Sequence, residues 1–293
     1  MKYVWIEAQG DSYPVSLMCD VLGVSRSGYY ARRTGEPSQQ AQRRQRIAKA
    51  AEQSHHESGG VYGYRKVHED LKEQQVACCR ETVRRVLAEK GLFSRTRRKF
   101  VVTTDSAHEQ PVAENRLERN FTATAANQKW AADITYLWTA QGWLYLAVVM
   151  DLFSRRIVGW SLRASLKAAL VLEALEMGLA HRQPDPGLLH HSDRGSQYAS
   201  DDFRRLLESH GIVCSMSRKG NCWDNAPVES FFGKLKTEWV HGKRYATREE
   251  ARLDVFKYIE LFYNRKRRHA ALGYLSPVAY EEQRLQSTTE QAA

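Results

Sequence analysis

The chain has 293 residues, 42% of them hydrophobic, which is long enough for about two domains and apolar enough to bury ordinary cores. Its 44 basic residues outnumber the 34 acidic ones, and the net charge of +10 indicates a polyanionic partner such as nucleic acid. Five cysteines without a C-x-x-C pair are typical of a reducing compartment. No apolar run approaches the ~18 residues of a membrane span, so we expect no membrane association and a cytoplasmic location.

Residues 1–38 are predicted to form a first helix-turn-helix-like segment. Apolar residues recur at helical spacing from Val15 to Leu22, Gly23 interrupts them, and Ser25 can cap a following basic helix. A helix, a glycine-containing turn and a capped basic helix are the outline of a DNA-reading motif. A helical hairpin that only packs would give the same pattern, so both interpretations stay open.

A second helical DNA-binding domain is predicted over 39–100. Its last helix has an apolar stripe with arginines largely off it, and Gly91 stands where a C-cap glycine belongs. A solvated basic face is the alternative to a DNA-binding one. The predicted DNA contacts of this domain are Arg65, Arg84, Arg85, Arg97 and Arg98.

Adjacent histidines and cysteines in the same domain raise the question of a zinc site. His55 and His56 could combine with Cys78 and Cys79. Zinc ligands in tetrahedral clips are usually separated by two or more residues, whereas adjacent side chains diverge. We therefore expect no zinc site here.

The remainder of the chain is predicted to be a linker followed by an α/β catalytic core. Residues 101–126 are polar and aperiodic, which is typical of an extended linker. Up to Ser217, three strand-like segments are followed by helix, strand, helix and strand, the order of a ribonuclease-H-like (retroviral-integrase-like) sheet. We expect this core, with a basic C-terminal helix, to span 127–282, and 283–293 to be a disordered tail.

Three carboxylates on different elements of this core are candidate metal ligands. Asp133 lies inside an apolar strand, where an ionised side chain needs a metal or an ion pair. Asp193 follows a strand end, and Glu229 begins a helix whose N-terminus favours negative charge. Such oxygen ligands suit Mg²⁺ or Mn²⁺, and two ions could support phosphoryl transfer. Taken singly, each acid is more often an ion-pair partner or a solvated side chain.

Several residues near the three acids could assist the same chemistry. Lys236 lies seven residues after Glu229, about two helical turns on, and could hold a DNA phosphate. An exposed lysine that only aids solubility is the alternative. Other neighbours could contact substrate, shape the pocket, cap a helix or simply pack: His190, His191, Arg194, Asp224 and Asn225.

The motifs around the acids are W-x-x-D-I-T-Y at Asp133, H-S-D-R-G-S-Q-Y at Asp193 and N-C-W-D-N-A-P-V-E-S-F-F at Glu229. The second and third acids are separated by 35 residues, and the later segment Y-N-x-x-R-x-H-x-x-L-G-Y-x-S-P follows them. Together they closely resemble the DDE transposases of the bacterial insertion-sequence-three family, relatives of retroviral integrases. The resemblance runs from about Tyr13 to Tyr280.

The resemblance implies a function and a set of roles. Asp133, Asp193 and Glu229 are then catalytic metal ligands, and Lys236 is the basic residue that accompanies them. The implied reaction cleaves DNA at an insertion-element end, after which the freed 3′-hydroxyl attacks another phosphodiester. The implied partners are double-stranded DNA (terminal inverted repeats and target) at the nucleoid and a second copy of the chain. A further implied partner is the upstream-frame product, the protein segment that such elements encode in the reading frame before this one. The basic cluster near the C-terminus adds predicted DNA contacts at Arg265, Arg268 and His269.

Two other functions would each explain part of the sequence. His241 and Arg244 form an H-x-x-R, and Tyr274 follows, as in a tyrosine recombinase that uses a covalent phosphotyrosine and no metal. That reading leaves the acids unexplained. A DNA-binding regulator without catalysis explains the basic helices but not the acidic motifs.

Overall fold

A computed structural model describes residues 1–35, 38–95, 113–218 and 222–292. The chain divides into two compact units, Met1–Ser94 and Arg95–Ala293. The predicted DNA contacts Arg97 and Arg98 lie outside the described residues. In the part of the chain that is described, no helix combines the length and apolar character needed to cross a membrane.

The first unit begins with three short helices, α1 (Lys2–Ala8), α2 (Val15–Leu22) and α3 (Arg26–Thr34). Gly23 ends α2 in the left-handed conformation, with φ of 61°. The Ser25 hydroxyl then caps α3 by accepting a hydrogen bond of 3.2 Å from the N–H three residues on. The helix-turn-helix outline predicted here is present. The helices share a small core of Ile6, Met18, Cys19 and Tyr29.

Three further helices complete the first unit: α4 (Gln39–Glu57), α5 (Tyr64–Glu73) and α6 (Arg80–Glu89). Each turns one apolar stripe inward, as their spacing predicts. Gly91 follows α6 with φ of 66°, which confirms the predicted C-cap. The shared core consists of Ile47, Ala51, Val67, Leu71, Val83, Val86 and Leu87.

The second unit is built on one five-stranded sheet with the order β3-β2-β1-β4-β5. Strands β1, β2 and β3 are antiparallel neighbours, while β4 runs parallel to both β1 and β5. This is the ribonuclease-H-like arrangement that the sequence predicts. The strands are β1 (Lys129–Thr139), β2 (Gly142–Asp151), β3 (Ile157–Arg163), β4 (Leu189–Ser192) and β5 (Val213–Met216).

Helices α7 (Ala168–Arg182) and α8 (Asp201–Ser209) pack on the sheet and enclose the main core of this unit. The approach of α7 to β3 requires a glycine. A Cβ at Gly159 would lie 2.0 Å from the carbonyl oxygen of Ala174. Any side chain at this position would push the helix off the sheet.

Two later helices each widen into π-helical turns. Helix α9 (Ala226–Lys234) continues into Leu235–Val240, and α10 (Arg248–Phe256) continues into Lys257–Tyr263. π-Helical turns are rare and persist only where tertiary contacts fix them.

A buried ion pair joins the first π-helical segment to the turn that follows the second. Arg267, only 4% exposed, donates to both carboxylate oxygens of Glu238, and the Tyr258 hydroxyl donates to the same group (3.2 Å). Beside this pair, Trp239 stacks on Phe262 with ring centroids 5.5 Å apart. Leaving either charge unpaired would be costly in such a setting, so the pair fixes how the segments meet.

The predicted linker over 101–126 is structured from residue 113 onward. Leu117 is buried, and the backbone N–H groups of Arg116 and Leu117 donate to the Ser215 hydroxyl at 2.9 and 3.2 Å. Residues 113–126 therefore pack with the second unit. Their burial depends on a partner strand about 100 residues later, which the local polar composition does not reveal.

The C-terminal segment also differs from its prediction. Helix α11 (Pro277–Ala292) covers all but the last of residues 283–293, which had been predicted as a disordered tail. Near the start of α11, Glu281 accepts hydrogen bonds from Ser154, Arg156 and Arg182. These contacts anchor the helix to the sheet and to α7.

Candidate active site

Two of the predicted acids lie on neighbouring parallel strands. In the pairing of β1 with β4, Ala131 is opposite His191. Asp133 and Asp193 each follow these partners by two residues, so both lie just past the same end of the β1–β4 pairing. Adjacent strands lie about 4.8 Å apart, which brings the two carboxylates within reach of a shared ion.

The third acid reaches the site because the start of α9 is tied to β1. Asn225, immediately before α9, donates a hydrogen bond of 2.9 Å from Nδ2 to the carbonyl oxygen of Ala132, next to Asp133. Its side chain does not cap the helix. Glu229 follows one turn later and is exposed at the surface. The long glutamate side chain thus extends from a fixed helix start beside the aspartates.

The other two acids affect the pKa of Asp133. Burial raises the pKa of Asp133 well above its ordinary value, and the negative charges of Asp193 and Glu229 raise it further. Lys236 acts in the opposite direction. Asp133 therefore lies in a negative pocket whose charge a bound cation would relieve.

The acids approach one another without forming a closed cage. Among the residues that the structure describes, no three His, Cys, Asp or Glu side chains meet closely enough to hold a metal. Glu229, the third acid, is exposed. The donor set, all hard carboxylate oxygens, fits Mg²⁺ or Mn²⁺.

The raised pKa of Asp133 leads to a testable pH dependence. Because its pKa in the folded protein exceeds the ordinary value of 3.8, the folded state binds the proton more tightly than the unfolded state does. The free energy of unfolding of the metal-free protein should fall as the pH rises from about 4 through the raised pKa. Asp133→Asn should remove this fall and stabilise the metal-free protein at neutral pH. Urea unfolding from pH 5 to 8 in chelator tests this, and an unchanged slope in the variant would contradict it.

A buried aspartate anchors the segment that leads into α9. Asp224 is 0% exposed and accepts hydrogen bonds from Arg218 (Nε 3.1 Å), Arg119 (Nε 2.9 Å) and Asn115 (Nδ2 2.9 Å). Arg218 above all holds the pKa of Asp224 well below its usual range. The prediction recognised Asp224 but not its three partners. Two of these lie more than 100 residues earlier, and no local pattern marks them.

The histidines before Asp193 are packing residues. His190 is fully buried against Phe203, and His191 lies between the hydroxyls of Ser215 (2.9 Å) and Ser217 (3.1 Å). Burial lowers the pKa of His190 to about 3 and that of His191 to about 4, so both are neutral at physiological pH. Of the two interpretations left open for these residues, packing is the one that fits.

Lys236 lies close to the acids, although the helix geometry there differs from the prediction. It belongs to the π-helical segment, so simple α-helical spacing from Glu229 does not fix its direction. Its Nζ lies 5.0 Å from the ring centroid of Tyr136. Burial lowers the pKa of Lys236, and the carboxylate of Asp133 opposes this. The ammonium group is therefore held between an aromatic ring and the acidic site.

The predicted DNA contacts of the first unit lie on its surface. Arg65 on α5 is exposed, and so are Arg84 and Arg85 on α6. Both α6 arginines pair with Glu81, at 2.7 and 3.1 Å, and they lower the pKa of that residue to about 2. A phosphate would have to compete with this internal carboxylate for Arg84 and Arg85.

The basic cluster near the C-terminus is only partly available to DNA. Arg265 is exposed, whereas Arg268 is partly buried and donates to the carbonyl oxygen of Tyr274 (3.2 Å). His269 is buried edge-on against the ring of Tyr263, with centroids 4.8 Å apart. The placement of His269 therefore argues for packing and against the predicted DNA contact.

In the part of the first unit that the structure describes, the histidines and cysteines do not form a group that could hold a metal ion. His55 is buried, and its Nδ1 lies 2.9 Å from the carbonyl oxygen of Tyr62. The Cys79 thiol lies 3.2 Å from the Thr82 hydroxyl. Each of these groups has a structural neighbour of its own.

Comparison with known protein families matches most of the chain. The Integrase core domain family matches residues 123–222, and a second Integrase core domain family matches residues 229–285. An HTH-like domain family matches residues 42–100, the region of α4 to α6. The two integrase matches include all three acids.

Individual relatives are similar over nearly the whole length. Transposase InsF for insertion sequence IS3A from Escherichia coli K12 is 44% identical over 288 residues, covering 97% of this chain and 100% of the relative. The insertion element IS600 31 kDa protein from Shigella sonnei, itself uncharacterized, is 44% identical over 265 residues, covering 90% and 97%.

Solved structures that are similar to this chain include chains of retroviral integrases. A chain of the simian T-cell lymphotropic virus intasome is 17% identical with a TM-score of 0.42, covering 74% of this chain and 69% of that chain. The HTLV-2 integrase catalytic core domain in complex with magnesium is 14% identical with a TM-score of 0.41, covering 55% and 99%.

Proposed function

The chain belongs to the transposase family of the IS3 insertion sequences, and on that premise we propose that Asp133, Asp193 and Glu229 are its catalytic carboxylates. The protein is a DNA transposase, a polynucleotidyl transferase with an integrase core. The observation that supports the residue assignment is the placement of the acids: Asp133 and Asp193 follow paired residues of neighbouring parallel strands. Asn225 ties the start of α9, which carries Glu229, to the backbone next to Asp133.

We propose Mg²⁺ or Mn²⁺, as two ions, for the metal held by these carboxylates. When bound, divalent ions favour the attacking oxygen and neutralise charge on the leaving oxygen of a phosphodiester. Asp133 is fixed within a central strand and Asp193 in the turn after its neighbour, where the Gly195 N–H donates to Asp193 Oδ1 (2.9 Å). These two residues supply the rigid side of the site.

The remaining residues of the site orient the substrate. Glu229 extends from the α9 start that Asn225 ties to β1, so its carboxylate can close on the site from the side opposite the strands. Lys236 is held near Asp133 and offers a positive charge for the phosphate beside the scissile one. No covalent intermediate between protein and DNA is required.

We further propose that the HTH-like domain delivers the terminal inverted repeats to this site and that target DNA follows. Arg65, Arg84, Arg85 and Arg265 are exposed, and Lys236 and Arg268 are partly exposed. Joining two DNA ends favours at least a dimer of this chain at the nucleoid. The upstream-frame product is a further proposed partner.

Incubating the protein with labelled DNA that carries its own element's ends tests this proposal. We expect nicking and strand joining with Mg²⁺ or Mn²⁺, and neither product in chelator. A metal-independent reaction or a phosphotyrosine adduct at Tyr274 would instead support a tyrosine recombinase. DNA binding without any cleavage under all metal conditions would favour the regulator.

A further inference from the structure

Three aromatic side chains form a cluster on the β1–β2 hairpin. Trp138 and Trp143 are paired opposite each other, with ring centroids 4.8 Å apart, and Tyr136 lies 5.0 Å from Trp143. Both contacts are edge-to-face. Although β1 and β2 are otherwise largely buried, 61% of Trp138 and 44% of Trp143 is exposed. Large aromatic groups at the surface indicate a binding role more often than a single exposed aliphatic side chain does.

The aromatic cluster is continuous with the proposed catalytic site. Tyr136 follows Asp133 by three residues on β1, and the Lys236 ammonium lies 5.0 Å from the centroid of its ring. A group that rests on the cluster would therefore lie beside the positive charge of Lys236, three residues along β1 from Asp133.

The hairpin that carries the cluster is held at its tip. The N–H of Ala140 donates to the carbonyl oxygen of Tyr245 (2.9 Å), and Thr139 forms a bridge with the same residue. The N–H of Arg248 donates to Gln141 Oε1 (2.9 Å). The two indoles are thus presented on a fixed backbone, which lowers the entropy lost when a ligand stacks on them.

The size of the surface favours a nucleobase over a second protein. Together the exposed parts of Trp138 and Trp143 amount to about 250 Å². A standard protein interface buries about 800 Å² on each partner. A flat base needs only one or two aromatic rings on which to stack. The positive charge of Lys236, beside the cluster, complements the negative charge of a nucleic acid backbone.

We propose that Tyr136, Trp138 and Trp143 form a stacking surface for unpaired nucleobases at the end of the transposon DNA. When the last base pairs of a DNA end open, their bases lose the stacking that they have within the duplex. Stacking on the exposed rings compensates for this loss. The captured strand then has its backbone next to Lys236 and its phosphate next to the acids. This inference rests on the proposed location of the catalytic site.

The test compares binding of two DNA duplexes by the full chain in chelator. Both carry the element's own end, but one has mismatches at its last two base pairs. We expect the wild type to bind the mismatched end more tightly than the paired one. The double substitution Trp138→Ala with Trp143→Ala should remove this preference, a change of about tenfold, and leave affinity for the paired end within about twofold.

Two control variants separate stacking from general damage. Trp138→Phe with Trp143→Phe keeps flat rings and should retain most of the preference. Phe256→Ala removes a similarly exposed aromatic ring from α10 and should change neither affinity. Circular dichroism and thermal unfolding confirm that each variant is folded.

Three results would overturn the inference. In the first, the wild type shows no preference for the mismatched end. In the second, the alanine variant keeps the preference unchanged. In the third, the alanine variant loses affinity equally for both duplexes and forms a smaller oligomer than the wild type. The last result would assign the surface to contact between copies. Since no catalysis is measured, failure of the carboxylate assignment would appear separately, as cleavage that survives substitution of Asp193.

Discussion

Asp193→Asn should abolish both strand cleavage and strand joining while DNA binding persists. The substitution keeps the Oδ1 acceptor for the Gly195 N–H, so the turn after β4 survives and only the charge is lost. When a metal that stabilises charge loses one ligand, the stabilisation of the transition state falls by several kcal/mol. Each 1.36 kcal/mol is a factor of ten, so we expect a fall of about a thousandfold or more.

A matched control for Asp193→Asn is Asp201→Asn. Asp201 is an exposed aspartate on α8 that pairs with Arg204, one turn along the same helix. It should retain wild-type cleavage rates in a labelled-end assay. Asp193→Asn with more than a tenth of wild-type cleavage would contradict its assignment as a catalytic ligand.

Asp224→Ala should both destabilise the catalytic unit and remove activity. The substitution leaves the side chains of Arg218, Arg119 and Asn115 without their common acceptor and frees the segment that leads to Glu229. Removing one partner of a buried ion pair costs about 3–5 kcal/mol. Arg119 is 45% and Arg218 54% exposed, so solvent screening should reduce the loss to about 2–3 kcal/mol. Thermal unfolding should then begin roughly 5–10 °C lower.

The pH dependence of this loss gives a second check. The pKa of Asp224 in the folded protein lies below its ordinary value of 3.8, so its stabilisation is present above about pH 4 and is lost as the pH falls through the folded pKa. The difference between wild type and Asp224→Ala should shrink in acid. Asp185→Asn, at an exposed aspartate, should show no difference at any pH. A constant difference would mean that Asp224 acts through packing alone.

Local patterns predicted the features that depend on neighbouring residues in the sequence. Ser25 caps one helix, Gly91 ends another, and the strand-like apolar segments occur in the predicted order. Asp133 stands out by the same logic, because a charged residue in an apolar strand needs a metal or an ion pair. Asp193 stands out because it follows a strand end.

Features fixed by distant partners could not be predicted in this way. Residues 113–126 look like a linker because their burial depends on Ser215 and Asp224, far along the chain. The Glu238 carboxylate in the π-helical turns after α9 pairs with Arg267, 29 residues later. The cluster of basic residues concealed the fact that Arg267 is buried while Arg265 is exposed.

The most direct test of the central assignment is a crystal structure of the full chain on its element's end DNA in Mn²⁺, with anomalous scattering used to locate the metal. The account predicts Mn²⁺ bound by the carboxylates of Asp133 and Asp193, with the Glu229 carboxylate directed to the same site. Mn²⁺ bound elsewhere while these three carboxylates pair with protein cations would contradict it.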